Sequence, residues 1–328
     1  MSFFGGGTDL PEFFRENGGA VISTTFDKYC YLTVRHLPPF FDYTTELSYA
    51  EIERVVNVDT IEHPVVRNAM KMLDMHELRI SYDADLPART GLGTSSSFSV
   101  GLLHAFHALK GKCVDKRRLA QEAIYLERTL CKEAGGWQDQ IAVAYGGLNR
   151  IDFKGDTFEV TRLAISEERK KKLNGNLMLF FTDAKRNSFD IQKCNVSELK
   201  GHLQDYRELL SLVDVAQSIL LNEDSDLDDF GRLLDTTWRL KRNTSSKVST
   251  SGIDEMYQRG VAAGALGGKL LGAGGGGFLL FYVTPERREE LRHAMEGHLY
   301  IPFTLEEEGA SIIYDAPEFF DCDVRREV

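Results

Sequence analysis

Two registers of apolar spacing run along the chain. Val21, Thr24, Phe26, Tyr29, Tyr31 and Val34 are strand formers and predict extended chain over 20–35. Leu78, Ile80 and Tyr82 alternate with polar neighbours, which predicts a strand at 77–83. The register then changes. Phe98, Leu102, Leu103, Phe106 and Leu109 recur at helical spacing, so a helix is expected to start near Ser95 or Ser96. A second helix is expected over 115–133, with Asp115 as N-cap and Leu119, Ala123, Leu126 and Leu130 on its apolar face. Residues 147–163 read as a hairpin, and "NGNLMLFFTD" as a strand at 176–182. Helices are expected near 195–221, 226–241 and 252–264. A glycine loop then runs into a strand at 278–283, followed by a helix at 285–297 and a strand at 310–315.

The first half thus mixes strands with helices, and the second reads as β–helices–β–α–β, an α+β pattern. The polar, lysine-rich run "SEERKKKLNGN" suggests a boundary near 165–175 between domains 1–170 and 171–328. It reads equally well as a surface loop inside one domain. Before all this stand only four strand-like residues, Met1 to Phe4, and then Gly5-Gly6-Gly7-Thr8-Asp9.

The 328 residues suffice for two domains or one large one, and 42% hydrophobic with 27% charged residues is ordinary globular usage. A formal net charge of −11 argues against non-specific nucleic-acid binding, which needs basic surface, but allows a locally basic pocket for a phosphorylated substrate. No apolar run approaches the ~20 residues that cross a bilayer, so no membrane association is expected. No signal peptide is visible. Cys30, Cys113, Cys131, Cys194 and Cys322 are scattered without a C-x-x-C, which suggests reduced thiols and a cytoplasmic setting.

Three stretches carry candidate chemistry. Gly91-Leu92-Gly93-Thr94-Ser95-Ser96-Ser97 lies where a helix begins. Glycines let backbone approach a ligand, and the open N–H groups of the helix end attract an anion. The hydroxyls could instead be simple helix caps. Glu127 and Asp139, the latter in "EAGGWQDQ", suggest one carboxylate for Mg²⁺ and one for an acceptor hydroxyl, or else a solvated helix face. In "KLLGAGGGGFLLFY" four glycines precede an apolar strand, so another strand or a ligand packs on bare backbone. The P-loop pattern is absent. A G-x-G-x-x-G occurs at Gly272, Gly274 and Gly277, but a strand follows it and a helix is expected before it, the reverse of a dinucleotide site.

Together, "PARTGLGTSSS" at 87–97, "GGKLLGAGGGG" at 267–277 and "FFGGGTDLPEFF" at 3–14 resemble, in order, the three motifs of the GHMP kinases, the superfamily of galactokinase, homoserine kinase and mevalonate kinase. "SFFGGGTDLPEFF", "GGWQDQ" and "GALGGKLLGAGGGGFLLF" are most similar to the bacterial D-glycero-D-manno-heptose 7-phosphate kinases, with the kinase half of fucokinases as runner-up. The resemblance implies a two-domain α+β fold: a ribosomal protein S5 domain 2-like N-terminal domain and a ferredoxin-like C-terminal one. It implies ATP and Mg²⁺ as cofactors, a small-molecule sugar phosphate as partner, and allows a homodimer. Pro87, Gly91, Leu92, Gly93, Thr94, Ser95, Ser96 and Ser97 would hold ATP, with Ser95 or Thr94 near Mg²⁺. Glu127 would bind Mg²⁺ and Asp139 would orient or deprotonate the acceptor hydroxyl. Gly6, Gly7, Thr8, Asp9, Gly136, Arg186, Gly274, Gly275 and Gly276 would contact the sugar. Galactokinase-like members also carry an arginine just before the position of Met1. For a second substrate phosphate the candidates are Lys28, Lys185 and Arg186. A non-catalytic sugar or nucleotide sensor on the same scaffold is the competing class. A nicotinamide oxidoreductase would rest only on the misplaced glycine pattern.

Overall fold

The computed structural model describes residues 1–87, 91–182 and 188–316. From the amino end, β1 (Ser2–Phe4) leads to α1 (Pro11–Asn17), β2 (Gly19–Ser23), β3 (Thr25–Phe26), β4 (Cys30–His36), β5 (Thr45–Ser48) and β6 (Ile52–Val55). Next come α2 (Pro64–Met72), β7 (Leu78–Ala84), α3 (Thr94–Leu109) and α4 (Lys116–Ile124), which continues as a π-helical turn (Tyr125–Leu130). α5 (Gln138–Tyr145), β8 (Asn149–Lys154), β9 (Thr157–Arg162), α6 (Glu167–Asn176) and β10 (Leu177–Phe181) follow. The rest is α7 (Ser188–Glu198), α8 (Leu203–Leu221), α9 (Asp228–Asn243), α10 (Ser251–Ala262), β11 (Gly267–Leu270), β12 (Phe278–Tyr282), α11 (Arg288–Ala294), β13 (Tyr300–Ile301) and β14 (Leu305–Glu306).

Three four-stranded sheets form, in the orders β1-β2-β8-β9, β4-β7-β5-β6 and β11-β12-β10-β13, and β3 pairs with β14. All pairings are antiparallel except β5 with β7. β10 (LMLFF) and β12 (FLLFY) are apolar at every position because both faces of their sheet are covered. With a side-chain period of two, Leu177, Leu179, Leu280 and Tyr282 join one core with Phe230 and Leu234 of α9. Met178, Phe180, Leu279 and Phe281 join another with Trp238 and Tyr257.

β1 belongs by hydrogen bonding to the sheet of β2 and by packing to the first of these cores. Phe3 and Phe4 both meet Phe230 edge-on, with ring centroids 5.2 and 5.0 Å away. The short opening strand is thereby anchored, and the glycine turn after it is held against residues more than two hundred positions away.

Asp115 caps α4 as expected, its Oδ1 accepting from Arg118 N at 2.8 Å. Several expectations are corrected. "SEERKKKLNGN" is helix α6, not a loop: Ser166 Oγ accepts from Arg169 N, and two glutamates occupy the first turn. Arg169 lies buried and donates to Leu220 O at 2.9 Å, so a residue that reads as surface charge ties α6 to the end of α8. Gly267–Leu270, read as loop, is strand β11, so a strand and not a helix precedes Gly272. A strand still follows, and no helix stands where a dinucleotide site requires one. The strand expected at 310–315 is absent over 311–316; β13 and β14 pair earlier instead, where Ile301 and Leu305 are buried while Ile313 and Tyr314 are exposed. The 285–297 helix is shorter, a 3-10 turn followed by α11. α1, α2, α5, β5 and β6 had no sequence expectation; each has nine residues or fewer, too short for a clear period.

Phe230→Ala should remove the ring that holds Phe3 and Phe4 and destabilise the protein by about 3–5 kcal/mol. Urea denaturation followed by tryptophan fluorescence checks this; a loss below 1 kcal/mol would mean that β1 is anchored elsewhere.

Candidate active site

A single cleft gathers the three glycine-rich segments. The turn after β1 contributes Gly6, Gly7 and Asp9; the start of α3 contributes Gly91, Leu92, Gly93, Thr94 and Ser97; the start of α5 contributes Gly136, Gln138 and Asp139. Gly272 and Ala273 close the far wall.

α3 begins at Thr94, and its N-cap is Gly93 in the left-handed conformation, φ +76°. Gly93 has no side chain, so no cap bond is made from that position. The N-terminus of this sixteen-residue helix lies at the cleft, which Gly93, Thr94 and Ser97 line, and a helix N-terminus attracts anions through its N–H groups and dipole. Helical rotation then sorts the serines. Ser95 is exposed, Ser97 lines the cleft, and Ser96 is buried with its Oγ donating to Glu127 Oε2 at 3.2 Å. The hydroxyl beside the Glu127 carboxylate is thus that of Ser96, whereas Ser95 or Thr94 was expected near Mg²⁺.

Glu127 sits in the π-helical turn and is 1% exposed. Its Oε2 also accepts from Gln140 Nε2 at 2.6 Å, and Arg128 stands 3.7 Å away. Its Oε1 is buried without a hydrogen-bond partner. Burial pushes the carboxyl above the usual glutamate range, Glu133 adds to this, and Arg128 opposes it. An ionisable oxygen left without a partner in a buried position fits a divalent cation shared with phosphate oxygens, the way Mg²⁺ is usually held. Among the described residues no cluster of three or more acidic, histidine or cysteine side chains forms a complete metal cage.

Asp139 occupies the first turn of α5, and a β-carbon built on Gly93 would lie 3.7 Å from its Cγ. The glycine-serine loop and this carboxylate are therefore neighbours on the cleft wall. Asp9 is 3% exposed. Its Oδ1 accepts from Gly7 N at 2.9 Å and its Oδ2 from Gln138 N at 3.2 Å. Burial pushes its pKa up, the two N–H groups pull it down, and neighbouring Asp139 pushes it up again. A β-carbon at Gly136 would collide with Asp9 Oδ2, so the turn before α5 must be glycine.

Not all expected residues reach the cleft. Thr8 is fully buried and exchanges hydrogen bonds with Ala20, its Oγ1 donating to Ala20 O at 2.9 Å; it fixes the turn and does not face a ligand. Gly274, Gly275 and Gly276 are not among the cleft residues; a β-carbon at Gly274 would lie 2.6 Å from Val248 Cα, and one at Gly275 would lie 2.6 Å from Ile191 Cδ1. These glycines admit the neighbouring loop and helix. Pro87 is likewise absent from the lining. Lys28 lines the cleft but is paired with Asp27 at 2.8 Å. Lys185 and Arg186 lie outside the described residues. Gln140, Lys241 and Lys269 were missed. Lys269 carried a signal, a lone charge inside an otherwise glycine and apolar run; Lys241 and Gln140 carried none.

Comparison with known proteins follows this geometry. Residues 60–147 match the GHMP kinases N terminal domain and 216–301 match the GHMP kinases C terminal domain. The chain is 29% identical over 312 residues to a D-glycero-alpha-D-manno-heptose 7-phosphate kinase of Campylobacter jejuni, covering 90% of each. It is 27% identical to a bifunctional fucokinase/GDP-fucose pyrophosphorylase of Arabidopsis thaliana, covering 69% of this chain and 22% of that one. In fold it is similar to a D-glycero-D-manno-heptose 1-phosphate kinase from Bacteroides thetaiotaomicron, with a TM-score of 0.77, 23% identity and coverage of 96% and 97%.

The raised pKa of Glu127 has a testable sign. The native state binds this proton more tightly than the unfolded chain, so the stability it contributes falls as pH rises from the ordinary carboxylate value through the raised one. Glu127→Gln should flatten that slope and, without metal, stabilise the protein at neutral pH by about 1–3 kcal/mol. Thermal denaturation in EDTA between pH 4 and 8 measures it. A variant less stable than wild type at pH 7.5 would show that the carboxylate is already satisfied.

Proposed function

The chain belongs to the GHMP kinases, an ATP-dependent kinase family, and on that premise we propose that it phosphorylates the anomeric hydroxyl of D-glycero-D-manno-heptose 7-phosphate to give the 1,7-bisphosphate. The observation that carries the reading is the placement of Asp139 beside Gly93 on the wall of one cleft, which sets a carboxylate next to a helix N-terminus. The named activity of the Campylobacter jejuni relative, similar over 90% of both chains, supports the choice of acceptor.

In this reading the loop 91–97 and the open N–H groups of α3 bind the ATP phosphates. Glu127 and Ser96 would hold Mg²⁺, which offsets phosphate charge when bound. Asp9 and Gly7 hold the sugar against the turn after β1. The anomeric oxygen attacks the γ-phosphorus, the bond from that phosphorus to the β,γ-bridging oxygen breaks, and ADP leaves. Asp139 takes the proton of the attacking hydroxyl. An anomeric hydroxyl is more acidic than an ordinary alcohol, so positioning outweighs base strength here.

The fucokinase reading has relatives of its own in Arabidopsis thaliana and in Bacteroides fragilis, 27% and 25% identical. ADP release with Mg·ATP across heptose 7-phosphate, fucose, galactose and mevalonate separates the two. The heptose phosphate should give the highest kcat/KM, and a preference for fucose would reverse the assignment. Asp139→Asn should bind ATP as wild type does and lower kcat by about 10²-fold or more. Unchanged turnover would remove Asp139 from the chemistry.

A further inference from the structure

The helix that carries Glu127 widens into a π turn at Tyr125–Leu130, and Arg128 is the next residue in that turn. Its guanidinium is directed at backbone. Nε and Nη2 both donate to Gly136 O, at 3.1 and 2.8 Å. Nη1 donates to Ala134 O at 3.2 Å and to Glu133 O at 3.5 Å. The Glu127 carboxylate is farther away, at 3.7 Å. The planar fork therefore grips the carbonyls of the turn 133–136 more closely than it pairs with the neighbouring charge. Gly135, inside this turn, has φ +140°, and a β-carbon there would lie 3.2 Å from Arg128 Cζ. The turn is bare backbone where it meets the guanidinium.

The peptide unit that Arg128 grips is held at its other end too. Trp137 N donates to Asp9 O at 3.2 Å, and no peptide bond among the described residues is cis. In a trans peptide the C=O and the N–H point in opposite directions. Arg128 thus takes the carbonyl of the Gly136–Trp137 peptide while Asp9 takes its N–H. The following N–H, that of Gln138, donates to Asp9 Oδ2 at 3.2 Å. Gly135 and Gly136 lead into this peptide, and glycine backbone resists rotation least. Turned over, the peptide would aim its carbonyl at Asp9 O and leave the guanidinium fork without its acceptor. Asp139 follows in the first turn of α5, so its placement depends on the same peptide.

We propose that Arg128 is a positioning residue for the transfer reaction: by holding the Gly136 carbonyl it fixes the peptide that seats Asp9 and begins α5, and so sets Asp9 and Asp139 for the acceptor. The proposal rests on the sugar-kinase reading and adds to it a residue that acts only through the turn, since Arg128 is not among the cleft residues. The competing role is electrostatic, a positive charge beside Glu127. Lysine separates the two, because its ammonium keeps the charge and cannot supply the fork.

The test uses the full chain with Arg128→Lys and Arg128→Met. Steady-state kinetics vary heptose 7-phosphate and Mg·ATP in turn. Both variants should raise KM for the sugar about tenfold and lower kcat about tenfold, with KM for ATP within about twofold of wild type. A lysine variant that works as wild type does, or a loss confined to KM for ATP, overturns the proposal and leaves the sugar-kinase reading in place. A second measurement needs no turnover. Fluorinated tryptophan labels Trp137 and Trp238, the two tryptophans of the chain, and Trp137→Phe assigns their fluorine resonances. Arg128→Lys should shift or broaden the Trp137 resonance and leave that of Trp238, buried in another core, where it is. An unmoved Trp137 resonance overturns the proposal whatever the kinetics show. If no sugar is phosphorylated at all, the kinase reading fails, and the Trp137 resonance alone decides whether Arg128 holds the turn. If Arg128→Met does not fold, Arg128→Lys carries both measurements.

Discussion

The carboxylate of Asp9, held between the N–H of Gly7 and the N–H of Gln138, is the contact on which the site is assembled. It fastens the turn after the first strand to the first turn of α5, and Trp137 N adds a bond to Asp9 O at 3.2 Å. α5 then delivers two consecutive residues to two tasks. Asp139 lies beside Gly93 of the glycine-serine loop, and Gln140 turns inward to Glu127. Asp9 thus ties the turn after β1 directly to the start of α5 across the cleft. The clamp in turn demands Gly136, because no other residue leaves room for the carboxylate.

Burial disfavours the charge on three of the groups that converge here. Asp9 and Glu127 are pushed up from the ordinary carboxylate range, and Lys269 is pushed down from the ordinary lysine range. A structure selected only for stability would replace such groups with apolar ones. Asp9 and Lys269 line the cleft, and Glu127 is buried behind it, joined to α5 through Gln140; clustered shifts of this kind are a common mark of functional sites.

The cleft is also a product of chain interleaving. β1 pairs with β2 through its backbone yet buries Phe3 and Phe4 against α9. Lys269 of β11 donates to the carbonyl of Phe3, so the first strand and the glycine-motif strand meet beside the cleft that Lys269 lines. Segments separated by more than 260 residues in sequence are thereby brought to one wall.

Short-range patterns were legible in the chain. The helical spacing of Phe98, Leu102 and Phe106, the Asp115 cap and the apolar strands β10 and β12 depend only on neighbours a few residues away. So did the segments of the candidate site: the glycine-serine loop, Glu127, Asp139 and the Gly-Thr-Asp turn all stand in local motifs. The sequence by itself thus determined which pieces of chain carry chemistry. Which atom of each piece reaches the cleft was decided by tertiary structure. The rotation of α3 hides Ser96 against Glu127 and exposes Ser95; Thr8 is spent on Ala20; Gly274 and Gly275 admit Val248 and Ile191; Lys241 and Lys269 turn inward. These contacts span from 12 residues, between Thr8 and Ala20, to 266, between Lys269 and Phe3. A charged side chain reads as surface until a second segment, distant in sequence, covers it.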